Sequence, residues 1–170
     1  MKFLILSLLA LTLFINCAPE SGQKHQNLIS KIDDTEFEKL IQQRNEKILF
    51  LNVWATWCAP CKEEFPDLIK LAESYLQSDV EIVGLNVDYP DEIETKIKPF
   101  LRQFDLNFKI YVQDFRNEGD FINRLNADWN GALPATFIFD RQGMQQAFLI
   151  GKKDYTTFRQ EIEKVRMKNI

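Results

Sequence analysis

The sequence predicts an α/β fold, a mixed central sheet flanked by helices on both faces. Three observations carry this expectation. Residues 48–54 and 80–87 are nearly unbroken apolar runs, as strands buried on both faces should be. Stretches with apolar residues at helical spacing alternate with these runs, which implies crossover units and a partly parallel sheet. Residues 135–140 and 145–150 flank the turn Arg141-Gln142-Gly143, so a hairpin follows. The chain has 170 residues, about one domain. Its 45% hydrophobic and 27% charged content is ordinary for a globular protein and excludes a disordered or collagen-like chain. Fourteen phenylalanines point to an aromatic core, and a net charge of −4 is opposite to that of a nucleic-acid binder. No nucleic-acid partner is expected.

Taken in order, residues 28–32 form a short edge strand. Asp33-Asp34 offers a helix N-cap, with Phe37, Leu40 and Ile41 following at helical spacing. Residues 48–54 are the first buried strand. Residues 59–77 form a helix with Phe65, Leu68, Ala72, Tyr75 and Leu76 on one stripe, and Pro66 should kink it. Residues 80–87 are the second buried strand and residues 91–104 a second long helix. A short strand at 109–113 and a short helix at 117–126 precede the hairpin. Residues 154–168 close the chain as a helix, with Phe158, Ile162 and Val165 on its inner face. Right-handed crossovers put the loop after residue 54 at the C-terminal edge of the sheet.

The first residues do not belong to this domain. Lys2 is followed by residues 3–15, apolar except for Ser7 and Thr12. That run is short of the about 20 residues a membrane helix needs and fits the apolar region of a secretory signal. It stops at Asn16-Cys17, before the polar residues Glu20, Ser21 and Gly22. An apolar run ending on a lone cysteine resembles a bacterial lipoprotein signal, which implies that Cys17 is lipidated and becomes the new N-terminus; ordinary secretion with cleavage near Ala18 and an uncleaved anchor are the alternatives. Residues 1–16 are then a signal peptide, 17–27 a lipid-anchored tether and 28–170 the folded domain. The tether holds His25, the only histidine, to which no function is assigned. A chain processed in this way works outside the cytoplasm, where disulfides persist.

The chemistry sits in Trp57-Cys58-Ala59-Pro60-Cys61-Lys62, between a buried strand and a helix. Two cysteines three apart can close a small disulfide. Cys58 falls at the helix N-terminus, where the partial positive charge favours a thiolate, which makes it the candidate nucleophile. Cys61, one turn further in, is the more buried and would resolve a mixed disulfide. Pro60 stiffens the turn and removes a competing N–H donor. A CxxC can also be half of a structural zinc site, but four ligands are needed. Beyond the pair only Cys17 and His25 remain, both in the processed end or tether. An inert structural disulfide is a further alternative, against which the flanking Trp54 and Trp57 argue.

The segment Val53 to Pro66 resembles the active-site segment of the thioredoxin superfamily. It is most similar to membrane-tethered thiol-disulfide oxidoreductases of the TlpA/ResA type, whose pattern W-C-x-P-C-x-x-E-x-P is matched at every fixed position. Leu133-Pro134-Ala135-Thr136-Phe137, preceded by Trp129-Asn130-Gly131, resembles the cis-proline loop that faces the CxxC. The resemblance spans about residues 28–168. It implies a thioredoxin-like fold and a protein-disulfide reductase that needs no cofactor. Cys58 resembles the attacking cysteine and Cys61 the resolving one. Leu133-Pro134 resembles the pair that exposes backbone groups to a substrate strand, and Glu64 matches the family's helix glutamate, a solvated carboxylate or a tuner of Cys58. Trp54 and Trp57 are expected to pack around the site. Cytoplasmic thioredoxins carry a buried Asp six residues before the first cysteine; here that position is Asn52, which cannot accept a proton at neutral pH. The resemblance implies instead an acidic residue from the segment after the next strand, and Asp88 or Glu92 is the expected proton acceptor for Cys61, with Asp91 a helix cap.

The implied substrates are exported proteins with disulfides, apo-cytochrome c with an oxidised CxxCH among them. The implied electron donor is a membrane protein of the DsbD/CcdA type. Two alternatives stay open at this point. One is a disulfide oxidase or isomerase, since Ala59-Pro60 alone does not set direction; an oxidase would usually carry a large helical insertion, for which residues 88–113 leave little room. The other is a copper-carrying thioredoxin-like lipoprotein of the Sco type, which uses C-x-x-x-C and a distant His. A peroxidase is disfavoured, because peroxiredoxins place Thr or Ser three residues before the cysteine and here Thr56 lies two before Cys58.

Overall fold

The computed structural model describes residues 28–168. The expected signal segment, Cys17, the tether and His25 lie outside the described residues. Asp33 accepts from Glu36 N at 2.8 Å, Glu36 answers on Asp33 N, and this capping box starts helix α1 (Asp34–Gln42) directly after strand β1 (Ile29–Ile32). Strand β2 (Ile48–Trp54) is buried along its whole length and leads to helix α2 (Ala59–Ser74). Strand β3 (Val80–Asn86) follows, then a 3-10 turn at Pro90–Glu92, a π turn at Ile93–Ile97 and helix α3 (Lys98–Leu101). Strand β4 (Lys109–Gln113), helix α4 (Glu118–Leu125), the hairpin β5 (Ala135–Phe139) and β6 (Gln145–Ile150), and helix α5 (Tyr155–Lys168) complete the domain.

The six strands lie in the order β1-β4-β3-β2-β5-β6. β1, β4, β3 and β2 are parallel, and β5 runs antiparallel to both β2 and β6. Side chains along β2 alternate between two cores, as the period of two requires. Ile48, Phe50 and Trp54 pack on one face with Phe65 of α2, Ile97, Leu101 and Phe158 of α5. Leu49, Leu51 and Val53 pack on the other with Phe37 of α1, Phe121 of α4 and Phe137. The α/β expectation is therefore met, and the aromatic core is divided between the two faces.

The structure corrects two element predictions. The helix expected over 91–104 is broken: Pro99 has no N–H for the carbonyl of Thr95, and Lys98 N reaches back five residues to Ile93 O. The helix expected over 59–77 ends at Ser74, where Tyr75 N bonds Ala72 O, so Leu76 is exposed instead of joining the apolar stripe. Pro66 is accommodated inside α2, which continues through it as a single helix.

Candidate active site

Parallel β2 ends in Trp54, and a short loop then delivers Cys58 as the N-cap of α2. Lys62 N closes the first helical bond on Cys58 O at 3.2 Å, and Pro60 occupies the first turn, where its missing N–H costs nothing. Cys58 and Cys61 form a disulfide with 5.3 Å between Cα atoms. Cys58 is 6% exposed and Cys61 fully buried, and Cys61 N donates to Cys58 Sγ at 3.3 Å. The pair register Val53↔Ala135 carries Pro134, at the head of β5, to the same edge of the sheet. The Leu133-Pro134 peptide is cis, and Pro134 O accepts from Gly151 N at 2.8 Å. Trp129 Nε1 donates to Ala132 O at 2.9 Å and holds the loop before it.

The two tryptophans differ. Trp54 is buried, in edge contact with Phe65 at 5.0 Å between ring centroids, whereas Trp57 is 66% exposed. Trp57 and Leu133 border a cavity of about 370 Å³ that extends along Val87, Tyr89, Phe121 and Trp129. Sequence reasoning missed this cavity because it is assembled from four separate segments.

Adjacent carboxylates on α2 have opposite environments. Glu63 is at the surface and pairs with Lys152 at 2.8 Å, whose hydrogen bond and charge hold its carboxyl below the usual range. Glu64 is 1% exposed, on the stripe of Cys61, Phe65 and Leu68. Its Oε1 accepts from Asn52 Nδ2 at 2.9 Å and its Oε2 from Lys153 N at 3.0 Å. Burial raises its pKa to about 7 against the lowering effect of those two hydrogen bonds. Asn52 Nδ2 also donates to Thr136 Oγ1 at 3.1 Å, so β2, α2 and β5 meet at one buried polar cluster.

The two carboxylates expected to serve Cys61 both border the cavity beside Trp57, and both have partners of their own. Asp88 is buried, and accepts from Thr56 N at 2.8 Å, Thr56 Oγ1 at 2.9 Å and Asn86 Nδ2 at 2.7 Å. Those bonds brace the loop before Trp57. Glu92 caps the 3-10 turn by accepting from Tyr89 N at 3.3 Å and is ion-paired with Lys96, which holds its carboxyl below the usual range. Asp91 is exposed in the same turn. The signal available for Glu64 was its place on the apolar stripe of α2; for Asn52 it was a polar residue inside an apolar strand.

Among known proteins, the chain matches the AhpC/TSA family over residues 18–147. It is 32% identical over 133 residues to the thiol-disulfide oxidoreductase ResA of Bacillus cereus, covering 78% of this chain and 70% of that one. The chain belongs to the AhpC/TSA family. Within it, this is a thiol-disulfide oxidoreductase of the ResA-like, thioredoxin-fold group. Solved structures agree. A thioredoxin-related protein from Neisseria meningitidis serogroup B superposes with a TM-score of 0.61 at 25% identity, over 71% of this chain and 85% of that one. A DsbF homologue from Corynebacterium diphtheriae superposes with a TM-score of 0.57 at 28% identity, over 70% and 72%. For this AhpC/TSA member, the hydroxyl of Thr56 is committed to Asp88, and the redox pair lies on a single helical turn. Among the described residues no helix is long and apolar enough to cross a membrane.

Proposed function

We propose that the protein is an extracytoplasmic reductase of protein disulfides, tethered through lipid on Cys17. The observation that supports this best is the Cys58–Cys61 disulfide at the mouth of α2, with the partly accessible cysteine at the N-cap. In the reduced protein, Cys58 is the nucleophile; the helix N-terminus and Cys61 N–H stabilise its thiolate. Cys58 attacks one sulfur of a substrate disulfide, and the other sulfur leaves as a thiolate and is protonated by water. Cys61 then gives its proton to the Glu64 carboxylate, one helical turn away, and attacks Cys58 Sγ. The Cys58–substrate bond breaks, the second substrate thiolate leaves, and the Cys58–Cys61 disulfide forms. Two electrons pass to the substrate, and a dithiol donor restores the pair. Glu64 is preferred to Asp88 and Glu92 as proton acceptor in this reading, because it lies one helical turn from Cys61 on the same buried stripe, whereas Asp88 braces Thr56 and Glu92 is ion-paired with Lys96.

An extended substrate segment lies along the Leu133-Pro134 loop, with an apolar side chain in the cavity beside Trp57. Apo-cytochrome c with an oxidised CxxCH is the proposed substrate, and a membrane donor of the DsbD/CcdA type the proposed source of electrons. The reduction potential of the Cys58–Cys61 pair tests the direction. A value near or below roughly −230 mV supports a reductase, and a value of about −120 to −180 mV overturns that direction in favour of an oxidase or isomerase. Trp57, exposed at the site, supplies the fluorescence signal.

A further inference from the structure

The polar cluster around Asn52 has an asymmetry. Both Nδ2 protons are used, on Glu64 Oε1 at 2.9 Å and on Thr136 Oγ1 at 3.1 Å. Oδ1 of the same amide is buried and has no partner among the described residues. An unpaired buried carbonyl costs on the order of 1–3 kcal/mol, and Asn52 is 1% exposed, at the centre of the sheet. An apolar residue would avoid that cost but would leave Glu64 Oε1 without its side-chain donor, so the amide is kept for Glu64 and not for packing.

An amide group can serve both protonation states of Glu64. Rotating its plane by half a turn exchanges donor and acceptor without moving the strand, and places Nδ2 where Oδ1 now has no partner, a cost the bond from protonated Glu64 must offset. With Glu64 ionised, Nδ2 must face the carboxylate, which only accepts. With Glu64 protonated, the carboxylic acid needs an acceptor, and Oδ1 is the atom that rotation would bring there. Thr136 can follow either way, since its hydroxyl accepts from Nδ2 or donates to Oδ1. The remaining ligand of Glu64, the backbone N–H of Lys153, is fixed by the chain and keeps Oε2 as an acceptor in both states.

We propose that Asn52 is a two-way amide switch: it donates Nδ2 to the Glu64 carboxylate and, when Glu64 takes up the Cys61 proton, turns so that Oδ1 accepts a hydrogen bond from the Glu64 carboxylic acid, with Thr136 reversing its hydroxyl. This rests on Glu64 as the proton acceptor proposed above and assigns Asn52 as a positioning residue. The charged groups that face Glu64 besides this amide are Lys153 and Lys152 from the loop after β6, and Asp67 from its own helix. None of them can exchange donor for acceptor.

The test uses the full chain in its oxidised form, labelled with 15N and 13C, so that neither cysteine titrates. The Glu64 carboxyl carbon and the Asn52 side-chain amide are followed from pH 5 to pH 9. The expected result is one shared midpoint near 7, with the Asn52 Nδ2 protons losing their nuclear Overhauser contacts to Glu64 and Thr136 on the acid side. In Glu64→Gln the Asn52 contacts should be independent of pH. Asn52→Leu removes the donor that favours the carboxylate, and should raise the Glu64 midpoint by about one unit or more, a tenfold gain in proton affinity. If Glu64 titrates near 7 while the amide keeps the same contacts throughout, the switch is overturned and the proton acceptor stands. If Glu64 does not titrate in this range, both are overturned. The amide contacts decide the matter in the wild-type chain even where Asn52→Leu fails to fold.

Discussion

Thr56 reaches Asp88 twice, through its backbone N–H to Oδ2 at 2.8 Å and through its hydroxyl to Oδ1 at 2.9 Å. The loop that carries Trp57 is thereby pinned to the end of β3, and Asn86 Nδ2 holds the same carboxylate from behind at 2.7 Å. Removing the acceptor strands the donors of Thr56 and Asn86 in a largely buried site. Asp88→Ala is expected to cost about 2–4 kcal/mol, read as a lower urea midpoint in the oxidised protein. The pH midpoint assigned to Glu64 should stay in place, because Asp88 acts as a brace. A displaced midpoint with little loss of stability would return Asp88 to the role of proton acceptor.

Glu64 makes a signed prediction for stability against pH. Its folded pKa, about 7, lies above the 4.5 of an ordinary glutamate. Between those values the folded state holds a proton that the unfolded state has released, so stability falls as pH rises from about 4.5 to about 7 and is flat above. The span corresponds to roughly 3 kcal/mol at most. Asp79, Asp154 and Glu63, held below their usual range, tilt the curve the other way only at lower pH. Urea unfolding of wild type and Glu64→Gln, compared from pH 4.5 to 8, isolates the contribution. Equal curves would show that Glu64 is ionised throughout.

Much of this site was legible because its chemistry is local. Cys58, Pro60 and Cys61 sit within one turn of a helix whose start the sequence announces, and the hairpin that delivers Pro134 is marked by its turn. The Glu64 environment was not legible, because its partners come from 12 and 89 residues away, and one of them is a backbone N–H. The partners of Asp88 and Glu92 were hidden for a related reason. Sequence put both in the right segment, but only the packing shows that one carboxylate faces Thr56 and the other Lys96.

The difference in accessibility within the pair predicts which single variant traps a substrate. Cys61→Ala keeps the N-cap sulfur and removes the buried resolving one, so incubation with insulin should accumulate a covalent adduct through Cys58. Cys58→Ala should form no adduct and lose turnover to background. Mass spectrometry of the non-reduced products reads both, and an adduct in Cys58→Ala alone would reverse the two roles.

Trp57 is 66% exposed while Trp54 is enclosed by Phe65 and Phe100. Trp57→Ala should therefore change the unfolding free energy, read from urea denaturation, by no more than about 0.5 kcal/mol. As an aromatic at the cavity mouth it should matter for protein substrates, where such truncations cost on the order of 2 kcal/mol, or about 30-fold in affinity. The check is a rise in KM for insulin reduction with unfolding unchanged. An unchanged KM would remove the cavity edge from the substrate path.

Two glycines test the packing behind the site, and they should differ. A Cβ on Gly84 would lie 2.6 Å from Ile110 Cδ1 and 3.2 Å from Trp54 Nε1. Those are side-chain atoms in a dense core, and Gly84→Ala should cost about 1–3 kcal/mol through overpacking. Gly143, in the hairpin turn, has φ +79, and its Cβ would lie 2.5 Å from the backbone oxygen of Ile41 at the end of α1. A main-chain oxygen inside a helix cannot step aside, and the left-handed conformation adds about 1–2 kcal/mol for alanine. Gly143→Ala should thus be the more damaging of the two, although it lies in the half-buried hairpin turn and not at the site. Thermal unfolding of both variants decides it. A smaller loss in Gly143→Ala would mean that the turn can move off α1 at little cost, and that the hairpin bearing Pro134 is anchored elsewhere.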